Sequence, residues 1–67
     1  MDLCRRFGLN VKAARKRAGH SQETLADTAG VARSYMSDVE TGARNPTLRV
    51  VERIAAALEV GPGRLLD

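Results

Sequence analysis

Apolar side chains recur along this chain at spacings of three and four, and the spacing resets several times. Leu3, Phe7, Val11, Ala14 and Ala18 form one stripe that stops at Gly19, which predicts a first helix over residues 2–18. Ser21 supplies a hydroxyl acceptor for the free N–H groups of a new helix, and Leu25, Ala26 and Ala29 come next as its buried face, so a second helix is predicted over residues 22–28. Gly30 lets the backbone turn left-handed, and a third helix begins near Ala32, with Met36 and Val39 inward and Gly42 at its end. Asn45 is held extended by Pro46, Thr47 can cap a fourth helix, and Leu48, Val51, Ala55 and Leu58 make its stripe with Ile54 beside it. Gly61, Pro62 and Gly63 leave room for a short terminal turn ending in Arg64, Leu65, Leu66 and Asp67.

No segment alternates with period two, and the only aromatic residues are Phe7 and Tyr35. The expected fold class is therefore all-α, a compact bundle of four helices plus a short C-terminal fifth. Sixty-seven residues without repeat or linker are expected to make a single domain over residues 1–67. So short a chain buries only about 60% of the surface that its unfolded form exposes, which leaves a small core and no room for a deep active-site cavity.

Charge adds direction to this outline. The net charge is +3, but residues 1–17 carry Arg5, Arg6, Lys12, Arg15, Lys16 and Arg17 against Asp2 alone, whereas residues 18–67 hold five basic and seven acidic side chains. The positive excess lies on the first helix, where a solvated face and a phosphate-facing one explain it equally well. Cys4 is the one cysteine, so no internal disulfide is expected, and the chain suits a reducing cytoplasm. No run approaches the ~18 apolar residues of a membrane span. Cys4 and His20 are the sole thiol and imidazole, acidic residues are scattered, and no phosphate-cradling glycine loop precedes a strand. An enzyme, a metal site, a cofactor and a small-molecule ligand are accordingly not expected.

The third helix is where polarity is concentrated. At about 100° per residue, inward Met36 and Val39 place Ser34, Ser37, Asp38 and Thr41 on the outward arc, with Arg33 beside it at the helix start. A helix enters the major groove of B-DNA only if it stands clear of the body, which requires a second helix packed across it through small residues such as Ala26 and Gly30. Arg33 suits bidentate contact with guanine O6 and N7, while Ser34 and Ser37 can donate to or accept from bases or phosphates. Tyr35, toward the side of the helix, can offer its hydroxyl to a phosphate or add a base contact. Asp38 has three open roles: accepting from cytosine N4, holding Arg33, or repelling wrong approaches.

The segment SQETLADTAGVARSYMSDVETG, about residues 21–42, resembles the helix-turn-helix of the XRE family of bacterial and phage DNA-binding regulators, which includes the Cro and lambda-repressor type. Leu25, Ala29, Val31, Met36 and Val39 stand at its apolar positions, Ala26 at its small contact position and Gly30 at its turn. GLNVKAARKRAG is similar to the family's first helix and ARNPTLRVVERIAAALEV to its loop and fourth helix. The resemblance implies a lambda-repressor-like fold and a sequence-specific transcriptional regulator of double-stranded DNA. It further implies Gln22 on the DNA backbone, Arg44 and Asn45 gripping the opposite flank, and an ion pair between Arg15 and Glu40 that orients the third helix.

Three positions depart from the family pattern. Ala32 stands where a serine or threonine cap is usual, Thr24 replaces the glutamate of a capping box, and His20, read as a half-buried packing residue, replaces an apolar one. RSYMSDVETGARN further resembles controller proteins of restriction–modification systems. That likeness implies a small homodimer on a pseudopalindromic operator, with a contact to RNA polymerase if it activates. Val50, Ile54, Ala57, Leu65 and Leu66 are the candidate self-association surface, although some of these positions suit the core equally. A protein-interaction or antitoxin-like module on the same fold is the competing expectation.

Overall fold

Three helices of this chain begin where a side chain satisfies a free backbone N–H group. Asp2, Ser21 and Thr47 accept from the N–H groups of Arg5, Thr24 and Val50 respectively, each filling one of the orphan positions of a helix start. The computed structural model describes residues 2–67. The caps open α1 (Leu3–Arg17), α2 (Gln22–Ala29) and α4 (Leu48–Leu58), while α3 (Arg33–Thr41) and the single turn α5 (Pro62–Leu65) begin without a side-chain cap. The Ser21 hydroxyl also donates to the Thr24 hydroxyl at 3.0 Å, so threonine gives this cap a partner in place of glutamate. Gly30, at φ 74°, ends α2 in the left-handed conformation and turns the chain directly into α3. Among the described residues all regular structure is helical, and no helix is long and apolar enough to cross a membrane.

The five helices enclose one core. Phe7 and Val11 from α1, Leu25 from α2, Met36 and Val39 from α3, Ile54 from α4 and Leu65 from α5 are its largest fully buried side chains. α3 lies against α1 and α2, α4 packs on α2, and α5 closes the end formed by α1 and α4. The recognition candidate α3 is thus supported from behind on two sides.

Some apolar positions differ from the periodic expectation. Leu3 and Leu48 are 57% and 80% exposed, and Ala18 is exposed as well. Leu3 and Leu48 are the first residues of their helices, and Ala18 caps the end of α1, so all three project past the rim of the core. Ile54, placed beside the α4 stripe, is at its centre with no exposed surface, and Leu65 retains 2%. Two of the five candidate self-association residues are therefore core residues and face no partner. Val50 and Ala57 are half-buried against the core, and Leu66 remains exposed.

Two helices approach closely at Gly8 in the middle of α1. A Cβ there would run into the backbone carbonyl oxygen of Val39 and come within 2.8 Å of that of Glu40. The α1 backbone therefore rests directly on the last turn of α3. Replacing an ordinary interior helix glycine with alanine gains about 1 kcal/mol. Gly8→Ala reverses that sign: the collision is with backbone, which cannot rotate away, and overpacking of this kind costs about 1–3 kcal/mol. Urea unfolding monitored by circular dichroism checks the sign.

Candidate nucleic-acid interface

α3 carries two opposed faces. Met36 and Val39 are fully buried, while Arg33, Ser34 and Thr41 are exposed and Ser37 and Asp38 are half-exposed. Tyr35 lies between the faces, its ring packed partly against the core. The outward arc expected from helical spacing is present as one continuous surface. Arg33 is exposed at its leading end and has no ion-pair partner among the described residues.

The loop after Gly42 returns over this surface. The Arg44 guanidinium sits 4.8 Å from the centre of the Tyr35 ring, and its Nη2 lies 3.5 Å from Asp38 Oδ2. Of the three roles open to Asp38, the structure shows holding an arginine, but that arginine is Arg44 and not Arg33. Both partners are about half exposed, at 50% and 48% of their side-chain surface, so the pair is screened by water and salt. Asn45 is exposed, and its Oδ1 accepts a long bond from the Cys4 thiol at 3.6 Å.

Beneath the surface lies one buried carboxylate. Glu40 is the buried charged residue of the core, and its side chain is 2% exposed. Arg15 Nε donates to Glu40 Oε2 at 2.7 Å and Nη2 to Oε1 at 3.1 Å, a bidentate pair. The remaining guanidinium nitrogen, Nη1, donates to the backbone carbonyl of His20 at 2.9 Å. Gln22 Nε2 completes the set, donating to Glu40 Oε1 at 3.0 Å. Arg15 and Glu40 thus meet as the family resemblance implies, and one carboxylate joins α1, α2 and α3.

This network revises the picture of Gln22. The side chain is not a free surface amide awaiting phosphate: one amide N–H is committed to Glu40, and the second remains for an outside acceptor. Sequence spacing carries no sign of this bond, because its partners are 18 residues apart. The Tyr35–Arg44 stack is equally hidden. The i, i+3 placement of Tyr35 and Asp38 on α3, with a basic residue just past Gly42, is the signal that points to it.

The surface of α1 is basic. Arg5, Arg6, Lys12, Lys16 and Arg17 of α1 are all exposed, and Arg15 alone of that helix's cations is drawn inside. Among the described residues no group of three His, Cys, Asp or Glu side chains gathers at metal-binding distance.

A polar-faced helix, joined by a left-handed glycine to a second helix packed across its base, defines the helix-turn-helix class. The chain belongs to the Helix-turn-helix domain family, which it matches over residues 6–67. It is 41% identical over 62 residues to the HTH-type transcriptional regulator SinR of Bacillus subtilis, a match covering 91% of this chain and 56% of SinR. This chain therefore spans little more than half the length of that relative. It is 44% identical over 62 residues to the control protein C.BamHI of Bacillus amyloliquefaciens, covering 91% of this chain and 76% of that protein. Its fold matches the crystal structure of the restriction–modification controller protein C.AhdI from Aeromonas hydrophila with a TM-score of 0.90 at 40% identity, over 92% of this chain and 94% of that one. SinR has also been solved in complex with DNA, and that structure matches with a TM-score of 0.87 at 40% identity over 91% of this chain and 98% of that one.

Removing the buried carboxylate strands the Arg15 guanidinium in a site where its side chain is 11% exposed. Glu40→Ala costs about 3–5 kcal/mol, the usual penalty for breaking a buried pair. Glu40→Gln costs less, because it retains acceptor oxygen for Arg15. Paired denaturant melts of the two variants measure the difference.

Proposed function

We propose that this chain is a sequence-specific binder of double-stranded DNA that regulates transcription, with α3 laid in the major groove. The observation that carries this reading is the outward face of α3: Arg33, Ser34, Ser37 and Asp38 lie on a helix whose opposite side is fixed by Met36, Val39 and Glu40. Arg33 reads guanine, Ser34 and Ser37 adapt to base or phosphate, and the second N–H of Gln22 meets the DNA backbone at the start of α2, where the helix dipole favours phosphate. Tyr35, Arg44 and Asn45 grip the flanking strand. The exposed cations of α1 add attraction that does not depend on sequence. The similarity to SinR, which has been solved with DNA, and to two control proteins supports the same reading.

Residues 1–67 act in this reading as a single domain in the cytoplasm, and two copies bind half-sites one helical turn, about 34 Å, apart. For self-association we propose, beside the half-buried candidates Val50 and Ala57, the apolar groove lined by Leu3, Phe7, Pro46, Leu48, Val51 and Leu66. It carries three of the exposed leucines and adjoins the Asn45 loop beside α3. Membership of a restriction–modification system belongs to the same proposal through the controller relatives, and a contact with RNA polymerase is added to it if the protein activates.

Selection of bound duplexes from a random pool tests it. Enrichment of a palindrome with half-sites one turn apart is the expected outcome, and absence of any enriched sequence directs attention to a protein partner. On the enriched duplex, Arg33→Ala weakens binding by ~1–3 kcal/mol and relaxes preference at one base pair of each half-site. Leu48→Glu lowers the sedimentation mass of the free protein toward that of one chain while leaving its helical content unchanged.

A further inference from the structure

We infer that Asp38 sets discrimination between duplexes indirectly, by holding Arg44 in an ion pair that DNA must exchange. The inference rests on the proposed DNA-binding reading and goes beyond it. Three observations support it. Arg44 is a loop cation that reaches back onto α3, where its guanidinium is engaged by Asp38 at 3.5 Å and stacked 4.8 Å from the Tyr35 ring centre. Tyr35 and Asp38 are three residues apart on one helix, so they present ring and carboxylate to the same guanidinium. Both ionic partners remain half exposed, so the pair is open to competition from an incoming phosphate.

The exchange has a fixed sign. When Arg44 moves to a phosphate, Asp38 loses its counter-charge close to a polyanion. A duplex presenting an amino donor opposite Asp38, cytosine N4 or adenine N6, supplies a new partner for the carboxylate. A duplex presenting only acceptors there leaves the carboxylate unpaired, and Arg44 is retained by Asp38 instead. The pair therefore weakens binding to wrong sequences more than to the right one. Tyr35 positions Arg44 by giving it a flat surface from which to swing.

Four proteins, wild type, Asp38→Asn, Arg44→Ala and the double variant, are titrated against the selected duplex and against a random duplex of equal length. Asp38→Asn is expected to tighten binding to the random duplex by about three- to five-fold, the scale of one exposed ion pair, and not to tighten binding to the selected duplex. In the Arg44→Ala background the same substitution is expected to tighten random binding much less. Simple repulsion between Asp38 and phosphate demands the opposite, a larger gain once Arg44 no longer shields the carboxylate, and that result overturns the inference. An effect confined to one base pair and equal in both backgrounds also overturns it, since it marks direct reading by Asp38.

A second readout needs no DNA. Tyr35 is the one tyrosine, and its ring proton resonances, once assigned apart from those of Phe7 and His20, report the stack. Asp38→Asn shifts them in the direction of Arg44→Ala if the carboxylate holds the guanidinium in place, and unchanged resonances overturn the inference. If wild-type protein binds selected and random duplexes equally, the DNA-binding reading itself falls and takes this inference with it. Preserved selectivity with the wrong coupling removes the inference alone.

Discussion

The buried Glu40 carboxylate is the constraint on which the helix-turn-helix depends. A charge taken out of water is tolerated only when its lone pairs are filled, and three donors from two other helices fill them. Arg15 comes from α1 and Gln22 from the first residue of α2, so satisfying one carboxylate fixes the end of α3 against both neighbours. Apolar packing by Met36 and Val39 holds α3 down but is non-directional. The bidentate guanidinium geometry supplies direction. Gln22 is itself half-buried, so the network runs from the core to the edge of the surface.

Most of the helix plan is legible in the sequence because its punctuation is local. Ser21 and Thr47 cap their own helices, Gly30 and Gly42 end theirs, and each decision is made within four residues of chain. The outward face of α3 is legible for a similar reason, because helical periodicity divides Ser34 from Met36 without any knowledge of the neighbours. The phase of α4 is not. Leu48 and Ile54 both fit its apolar face, and only the packing of α2 and α5 decides that Ile54 is central and Leu48 peripheral. Leu65 escapes placement because a four-residue turn has too little periodicity to show which side it buries. Arg44 reads from sequence as a free flanking cation, whereas the path of the loop chooses its partners.

Interior and surface divide the arginines between them. Arg15 is committed to folding, Arg33 is left open, and Arg44 is held on the surface by weak contacts with Tyr35 and Asp38. The three differ in environment and not in chemistry: 11% side-chain exposure makes one a structural member, and 50% makes another exchangeable. A net charge of +3 therefore says less about binding than which cations remain uncommitted.

The contact at Gly8 has a consequence for how such a domain diversifies. Because α1 meets the end of α3 backbone against backbone, the position of α3 does not depend on the size of any side chain at that crossing. The outward residues can then be rewritten one at a time without moving the helix that carries them. The scaffold thus tolerates point changes on that face, and the glycine is the position at which that freedom ends.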